Sequence, residues 1–336
     1  MSQPFAIAVI GATGTVGETI VQILEERDFP LSELHLLASA ESSGTSLPFK
    51  GKNLRAREVD AFDFSRVGLA FFAAGAAISR SFAPRALQAG CSVIDLSGAF
   101  DHQQASLLVP EINAAQLAGR SAPLLLSNPG SAATALALAL APLREVLDIQ
   151  RVDVTACMAV STLGREGVSE LARQTAELLN MRPLEPRFYD RQVAFNLLAQ
   201  VGTPDEHGHA PQEKRLVSEL RELLALPLLK VCATCIQVPV FFGDSFSISL
   251  QTAQDVDLAL VNKRLDAAPG VELVDAGDYP TPVGDAVGQD VVYVGRVRRG
   301  IDDSRQLSLW LTCDNVRKGA ALNAVQVAEL LIKGHV

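Results

Sequence analysis

Short apolar runs alternate with segments of helical periodicity in the first part of the chain. Phe5–Ile10 is a continuous apolar run, typical of a strand buried on both faces, and Gly14–Glu26 carries apolar residues at helical spacing. Further strands are predicted at Leu34–Ser39, Leu69–Ala74, Ser92–Leu96 and Leu124–Ser127, with a helix at Ser81–Ala89. Strands separated by helices predict βαβ units and a parallel sheet covered on both faces.

After residue 149 apolar and polar positions alternate more regularly. This pattern covers the runs Arg151–Val160, Leu228–Val240, Phe246–Gln251, Val291–Arg298 and Leu307–Cys313. Such alternation is typical of an antiparallel sheet with one exposed face. Helices are predicted at Ala132–Leu140, Val168–Asn180, Glu213–Ala225, Leu258–Ala267 and Arg317–Lys333. The two halves of the chain therefore favour different sheet architectures.

Composition excludes several classes of protein. The 336 residues suggest about two domains. The net charge of −9 argues against nucleic acid or an anionic membrane as a partner. The longest apolar stretch, Ala132–Ala141, is about half the length that spans a bilayer. Met1–Pro4 carry no export signal pattern, and five cysteines make no disulfide framework, so we expect a cytoplasmic protein with buried cysteines.

A glycine-rich turn follows the first predicted strand. Its residues are Gly11, Ala12, Thr13, Gly14, Thr15, Val16 and Gly17. Glycines let the backbone turn tightly and approach a pyrophosphate, which binds at the start of the following helix. We expect Gly11–Val16 to bind the phosphates of a dinucleotide. A tight strand-to-helix turn without a ligand is the alternative.

Ser39 and Glu41 follow the second predicted strand, where dinucleotide-binding proteins contact the ribose. The Glu41 carboxylate can accept a hydrogen bond from a free 2′-hydroxyl and repels a 2′-phosphate. No Lys or Arg occurs between Glu41 and Lys50 to offset that repulsion. NAD is therefore favoured over NADP, although a solvated loop carboxylate is an equally good interpretation of Glu41.

Six motifs follow one another along nearly the whole chain. They are Gly11–Gly17, Val109–Asn113, Ser127–Ser131, Gln192–Asn196, Ala233–Val240 and Asp314–Ala321. Together they resemble the aspartate-semialdehyde dehydrogenase family. The resemblance implies an α/β fold with a Rossmann-like parallel-sheet domain, residues 1–130 plus a C-terminal helix at 314–336. It also implies an α+β dimerisation domain with a mostly antiparallel sheet, residues 131–313, and hence a homodimer.

The resemblance further implies an activity: the NAD(P)-dependent reductive dephosphorylation of an acyl phosphate through a cysteine thioester. Asn315 lies in the segment that, in this family, closes over the nicotinamide. Asn128 belongs to the motif that precedes the nucleophile, and Glu213 matches a substrate- and phosphate-binding position. Arg215 stands where the family has lysine.

Five positions depart from the family pattern in this sequence. Ser131 stands at the nucleophilic cysteine, Met158 at the glutamine that orients the intermediate, and Gln237 at the arginine that clamps the substrate carboxylate. Asp244 stands at the acid/base histidine, and Asp101 at a phosphate-binding arginine. Since all five substitutions affect one reaction, the inherited activity is expected to be lost.

Three hypotheses follow. The first is a dimer that binds NAD or NADP, and a small molecule still unidentified, without the inherited activity. The second is an NAD(P)-dependent oxidoreductase that acts on an aldehyde or oxo group of an uncharged substrate through Ser131 and Asp244. The third is an interaction subunit that binds no nucleotide. Ser131 at a helix start is otherwise expected to cap free backbone N–H groups.

No metal site is expected. Cys232 and Cys235 have the spacing of a metal-ligand pair, but they lie in a predicted strand, where residues three apart point to opposite faces. His207 and His209 lie in a polar loop and are expected to be solvated.

Overall fold

Two compact units make up the protein. The structure, a computed structural model, describes residues 5–335. One unit comprises the residues up to Gly130 together with those from Ala320, and the other is Ser131–Gly319. Residues 314–319, expected with the first domain, thus belong to the second unit. Met1–Pro4, interpreted as free of an export signal, and Val336, the end of the expected C-terminal segment, lie outside the described residues.

The first unit is built on a parallel sheet, as the apolar runs predict. Its strands are β1 (Phe5–Ile10), β2 (Leu31–Ala38), β3 (Ser46–Phe49), β4 (Lys52–Arg55), β5 (Arg57–Glu58), β6 (Leu69–Phe72), β7 (Ser92–Asp95), β8 (Ser106–Leu107) and β9 (Leu125–Ser127). Its helices are α1 (Thr15–Glu26), α2 (Ala76–Gln88), α3 (Pro110–Asn113) and α8 (Leu322–Leu330). The main sheet has the order β5-β2-β1-β6-β7-β9-β8 with parallel pairs throughout, while β3 and β4 form a separate hairpin.

Helices cover both faces of this sheet, which explains the unbroken apolar run in β1. Ile7 and Val9 point to one face, where side chains of α1 and α8 pack against them. Ala8 and Ile10 point to the other, where they pack with side chains of α2. All four are buried, because successive strand residues alternate between two faces that are both covered.

The second unit contains a mixed sheet. Its strands are β10 (Ile149–Met158), β11 (Lys230–Gln237), β12 (Asp244–Thr252), β13 (Val271–Leu273), β14 (Val292–Arg299) and β15 (Gln306–Cys313). Its helices are α4 (Ser131–Leu140), α5 (Gly164–Leu179), α6 (Pro211–Leu223) and α7 (Leu258–Asp266). The order is β11-β10-β12-β15-β14-β13, with parallel pairs at β10–β11 and β13–β14 and antiparallel pairs between. The predicted fold class, a Rossmann-like unit plus a mostly antiparallel α+β unit, is confirmed.

The C-terminal helix and the β3–β4 hairpin are among the elements that differ from the sequence prediction. The predicted C-terminal helix is divided into a π-helical turn at Arg317–Ala321, the α-helix α8, and a second π-helical turn at Leu331–His335. The β3–β4 hairpin has no counterpart among the predicted strands, since its strands are only four residues long, β3 contains Pro48 and β4 is mostly polar. Lys50 and Gly51 form its tip with φ of 46° and 72°.

Two smaller findings complete the fold. Cys91, Cys235 and Cys313 are buried, but Cys232 is exposed and Cys157 is half-buried, so the expectation that all five are buried is wrong for these two. Between residues 5 and 335 no helix has the length and apolar character needed to cross a bilayer.

Candidate functional site

The glycine-rich turn is held against the carboxyl end of β2. The N–H groups of Gly11 and Ala12 both donate to Leu37 O, at 2.8 and 3.1 Å. Gly11 has a φ of +78°, and a Cβ there would lie 2.5 Å from the backbone oxygen of Ala73. A Cβ at Gly17 would lie 2.1 Å from Gly11 O. Both positions therefore require glycine for backbone geometry alone.

The start of α1 can accept an anion. Gly14 is the N-cap residue and offers no side-chain hydrogen bond to the first turn. Thr13, Thr15 and Val16 are half-buried beside it, whereas Ala12 is fully buried and can present only its backbone. Uncapped N–H groups and the helix dipole stabilise a negatively charged group at this place. The turn therefore fits the pyrophosphate of a dinucleotide.

Ser39 and Glu41 lie at the same edge of the sheet. Both are exposed, and Glu41 belongs to a short 3-10 turn directly after β2. β1 and β2 are parallel neighbours, so their carboxyl ends meet at one edge. Among residues 5–335 no hydrogen bond or ion pair holds the Glu41 carboxylate, which leaves it available to a ligand.

Asp101 and Asn128 have contrasting environments in the first unit. Asp101 is exposed, and its Oδ1 accepts N–H bonds from Gln103 and Gln104 at 3.0 and 2.9 Å, which closes a local turn. Asn128 is buried, and its Oδ1 accepts from Asn323 Nδ2 at 2.7 Å. Asn323 is a site residue that the sequence does not indicate, because no local pattern predicts that α8 packs beside Asn128.

Ser131 and Asp244 are in direct contact in the second unit. Ser131 is the first residue of α4, Asp244 is the first residue of β12, and Ser131 Oγ lies 3.0 Å from Asp244 Oδ2. The hydroxyl donates and the carboxylate accepts. Ser131 thus makes a side-chain bond to a specific carboxylate, beyond the backbone capping expected from its position.

Asp244 is fully buried, and this changes its acidity. Its Oδ1 accepts from the N–H of Ala159 at 2.9 Å. Burial raises the pKa of Asp244 to about 7, and the Asp314 carboxylate contributes to the rise, while the bonds from Ala159 and Ser131 oppose it. Loss of solvation disfavours the charged form of a carboxyl group. At neutral pH the group therefore exists in both protonation states.

A second polar network, which the sequence analysis largely missed, adjoins Asp244. Asn315 Nδ2 donates to Ser161 Oγ at 2.9 Å, and Asn315 Oδ1 accepts from Gly243 N–H at 2.9 Å. Asp314 Oδ2 accepts from Gly288 N–H at 2.8 Å. The buried Asn315 side chain thus binds to the residue next to Asp244, so its amide orients the site from within.

Gly319 also approaches Ser131. A Cβ at Gly319 would lie 2.6 Å from Ser131 Cβ, so any larger residue there displaces Ser131. Burial disfavours the thiolate form of two cysteines in this unit. Burial raises the pKa of Cys157, and it raises that of Cys313 well above the ordinary range. The thiolate is the reactive form of cysteine, so neither thiol supplies a substitute nucleophile.

Met158 and Gln237 are paired across β10 and β11. They are partners in the parallel register, and Gln237 Nε2 donates to Met158 O. Both side chains are buried, and Gln237 Oε1 has no hydrogen-bond partner among the described residues. The Gln237 side-chain amide therefore faces strand β10, and its unbonded oxygen is an uncharged hydrogen-bond acceptor.

Glu213 and Arg215 lie in the first turns of α6. Glu213 Oε2 accepts from Ala210 N–H at 2.8 Å, and its Oε1 accepts from Cys235 N–H at 3.1 Å. Arg215 Nε donates to Glu219 Oε1 at 2.7 Å. Glu213 thus fastens α6 to β11, while Arg215 belongs to a partly exposed ion pair.

The predicted residues form separate groups within each unit. The second unit brings together Ser131, Asp244 and Asn315, and pairs Met158 with Gln237. In the first unit the glycine turn and Glu41 share one sheet edge. The part of the chain that the structure describes contains no group of three or more metal-ligating side chains.

Comparison with known proteins assigns both units. Residues 6–120 match the family model described as semialdehyde dehydrogenase, NAD binding domain, and residues 140–318 match its dimerisation domain. A USG-1 protein homolog of Pseudomonas aeruginosa is 60% identical, with 99% of each chain covered. A solved structure of a probable aspartate-semialdehyde dehydrogenase from P. aeruginosa is 59% identical with a TM-score of 0.97, covering 99% of this chain and 100% of that one. Aspartate semialdehyde dehydrogenase II from Vibrio cholerae, solved in complex with ASA, is 41% identical over 100% of both chains, with a TM-score of 0.96.

Proposed function

The chain belongs to the semialdehyde dehydrogenase family, and from that membership we propose that it is an NAD(P)-binding homodimer that has lost the reductive dephosphorylation of an acyl phosphate. Both domain types of the family, NAD-binding and dimerisation, are present. The observation that carries the proposal is the contact between Ser131 Oγ and the buried Asp244 carboxylate. By family resemblance, these two positions hold the nucleophilic cysteine and the acid/base histidine.

A serine cannot replace the thiol without further help. A cysteine thiol has a pKa of about 8.5 and is partly ionised near neutral pH. A serine hydroxyl stays protonated there and needs a base within hydrogen-bond reach. Asp244 is the one carboxylate that the structure describes in contact with Ser131 Oγ, and burial holds a large fraction of it protonated. Protonated Asp244 cannot accept the proton of Ser131.

The substrate-binding positions support the same conclusion. Gln237 cannot form the charge-assisted bidentate pair that arginine makes with a carboxylate. Its amide nitrogen is already bonded to Met158 O. Asp101 repels a phosphate where an arginine attracts it, and two local N–H groups already donate to its Oδ1. An acyl phosphate that also carries a carboxylate therefore loses two of its anchors.

The dinucleotide site is retained in this proposal. The uncapped start of α1 and the close backbone approach at Gly11 fit a pyrophosphate. The exposed Glu41 carboxylate favours NAD, because it accepts a bond from a free 2′-hydroxyl and repels a 2′-phosphate. We expect NAD to bind at least as tightly as NADP, and calorimetry that gives clearly tighter binding of NADP contradicts the role of Glu41.

A second candidate is supported by the same contact. Asp244 titrates near neutral pH, and its ionised fraction accepts a hydrogen bond from Ser131 Oγ, which is the arrangement of a hydroxyl with a general base. A bound nicotinamide supplies hydride chemistry, while Ser131 and Asp244 hold and move a proton at the substrate oxygen. The substrate in this case is an aldehyde or oxo compound without a carboxylate, because Gln237 is neutral.

Steady-state assays test the proposal. The purified protein is incubated with aspartate semialdehyde, inorganic phosphate and NAD or NADP, and the reduced nicotinamide is followed by its absorbance. The V. cholerae relative is the positive control. We expect no turnover from this protein. Turnover comparable to the control, abolished by Ser131→Ala, contradicts the proposal and favours the second candidate.

A further inference from the structure

A groove runs along one edge of the parallel sheet in the first unit. Every residue from Leu31 to Leu36 lines it, so it follows the edge of β2 rather than one face of the sheet. The β3–β4 hairpin and Arg57 form the opposite wall, and the volume is about 600 Å³. We refer to this feature, bounded by Leu31–Leu36 and the hairpin, as the β2-edge groove.

The backbone of β2 is unpaired along the groove. β2 pairs with β1 along its length, but it pairs with β5 only at Leu37 and Ala38. Over Leu31–Leu36, no strand in the described part of the chain occupies the outer side of β2. Such an edge presents a row of free N–H and C=O groups to an incoming strand.

The hydrogen bonds of β2 fix which residues present these groups. Leu37 O accepts from the glycine turn on the β1 side, and Ala38 O accepts from Val59 N–H on the opposite side. Because successive residues of a strand direct their backbone groups to alternate sides, Leu34 and Leu36 direct theirs to the groove side, the same side as Ala38. The alternation does not extend to Ser32, where the register with β1 shifts by one residue. The groove therefore offers donors and acceptors at strand spacing.

The groove is cationic although the protein is acidic. Lys50, Lys52, Arg55 and Arg57 line it, and Glu33 is the single carboxylate among its described lining residues. Lys50 is paired with Asp28. The other three cations, Lys52, Arg55 and Arg57, are exposed, and none of them forms an ion pair with any of residues 5–335. With a net charge of −9 on the chain, this concentration of unpaired cations directs an acidic partner to one place.

We propose that the β2-edge groove binds an extended acidic segment of a partner protein, which adds to the sheet as a strand beside β2. The open stretch from Ser32 to Leu36 accommodates about five residues, or about 17 Å of strand. Main-chain bonds to Leu34 and Leu36 supply affinity, and carboxylates of alternate residues meet Lys52, Arg55 and Arg57. This function does not depend on the chemistry of the Ser131 site.

Two other interpretations of the groove predict different binding behaviour. Lys and Arg at a sheet edge also protect it from edge-to-edge aggregation, in which case nothing binds there. A single-stranded nucleic acid uses the cations but has no need of the strand backbone. The hairpin residues Phe49 and Leu54 line the groove as well, so it has apolar surface for alternate side chains of a peptide.

The test uses a labelled peptide of about eight residues with alternating Glu and Val, long enough to span the open edge. Fluorescence anisotropy measures binding to the full-length protein, and amide hydrogen exchange measures protection. We expect binding that weakens as salt is added, and slowed exchange within residues 31–36. A peptide with Lys in place of Glu is expected not to bind.

Matched variants separate charge from backbone. Arg55→Glu combined with Arg57→Glu is expected to weaken binding at least about tenfold, as charge reversal turns attraction into repulsion. The control, Arg80→Glu with Lys263→Glu, makes the same charge change on exposed helices outside the groove and is expected to have no effect. A peptide of the same sequence that is N-methylated along its backbone cannot donate to the edge of β2 and is expected not to bind.

Three results overturn the proposal. One is the absence of peptide binding to wild-type protein whose circular dichroism spectrum shows that it is folded. Another is binding that leaves amide exchange within residues 31–36 unchanged. The third is tighter binding of a thymidine oligonucleotide than of the peptide, with both ligands losing the same affinity when Arg55→Glu and Arg57→Glu are combined.

Discussion

Asp244 determines what Ser131 can do, and burial determines the state of Asp244. The carboxylate has no exposed surface and accepts bonds from Ala159 N–H and Ser131 Oγ. Burial raises its pKa to about 7 from the ordinary value of 3.8. In the unfolded chain the group ionises near that ordinary value, so folding favours the protonated form.

Asp244→Asn tests this shift through stability. The pKa of Asp244 is higher in the folded protein than in the unfolded chain, so protonation of Asp244 stabilises the wild-type protein. This stabilisation is complete below about pH 4. It is lost as the pH rises to about 7, where the free energy of unfolding falls by up to about 1.4 kcal/mol per pH unit. Asparagine does not titrate. Urea unfolding is therefore expected to show a stability difference that moves in favour of Asp244→Asn between about pH 4 and pH 7 and then stays level.

Asp302→Asn provides the control for this measurement. Asp302 is an exposed carboxylate of the same unit, and its replacement is expected to leave the pH dependence of unfolding unchanged. A wild-type protein whose stability relative to Asp244→Asn is constant between about pH 4 and pH 7 contradicts a raised pKa at Asp244.

Ser131→Cys alone is expected to restore no measurable turnover. Catalytic groups that act as a unit are strongly non-additive, so one repair recovers little of the lost barrier reduction. Addition of Asp244→His supplies an acid/base with a pKa of about 6.5, and Gln237→Arg supplies the carboxylate clamp. Activity is expected when these are combined with Met158→Gln and Asp101→Arg, as measured by phosphate-dependent formation of reduced nicotinamide.

The circular dichroism spectrum of the Ser131→Cys variant, compared with that of the wild-type protein, is the control for folding. Full activity in that single variant contradicts the account, since it means that the remaining substitutions do not impair the reaction.

At the scale of elements, local sequence determines the glycine turn and little else at the site. The strand β1, the turn and α1 are adjacent in the chain, and steric rules for glycine govern their geometry, so sequence alone places them. The β3–β4 hairpin escapes prediction because its four-residue strands carry polar residues and Pro48. Its consequence, the β2-edge groove, is likewise invisible in sequence, because it depends on which strand pairs with the edge of β2.

Gly11→Ala tests the close approach at the turn. The residue has a positive φ, and the added Cβ lies 2.5 Å from Ala73 O, so the turn must move. We expect the free energy of unfolding to fall by about 1–3 kcal/mol. We also expect NAD to stop raising the melting temperature of the protein.

Gly90→Ala is the matched control for Gly11→Ala. Gly90 has a φ of +83°, but its Cβ would meet no atom within 4 Å. It is expected to lower stability by about 1 kcal/mol without weakening nucleotide binding. Unchanged NAD binding by Gly11→Ala contradicts a dinucleotide site at this turn.

At the scale of the whole molecule, the two domain types follow from sequence, but the contacts within the site do not. Ser131 and Asp244 are 113 residues apart in the chain, and no local pattern predicts their bond. The pKa of Asp244 follows from its burial, which only the folded unit provides. Asn315 and Glu213 were singled out by motif, whereas their bonds to Gly243 and Cys235 depend on tertiary packing.

The assembly is a prediction at this scale. Residues 140–318 match a dimerisation domain, and we expect a homodimer with an interface on the order of 2,000 Å² or more. Sedimentation at micromolar concentration is expected to give twice the mass of the 35.7 kDa chain. A monomeric mass under these conditions contradicts this prediction but does not test the proposal of a nucleotide site.

A single-turnover measurement tests the central claim most directly, because it detects chemistry even when product release is slow. The protein, in excess over aspartate semialdehyde, is mixed rapidly with phosphate and saturating NAD or NADP, and the absorbance of reduced nicotinamide is recorded. We predict no burst from the wild-type protein or from Ser131→Ala, and a clear burst from the V. cholerae relative. A wild-type burst of about one reduced nicotinamide for each semialdehyde, absent in Ser131→Ala, contradicts the account.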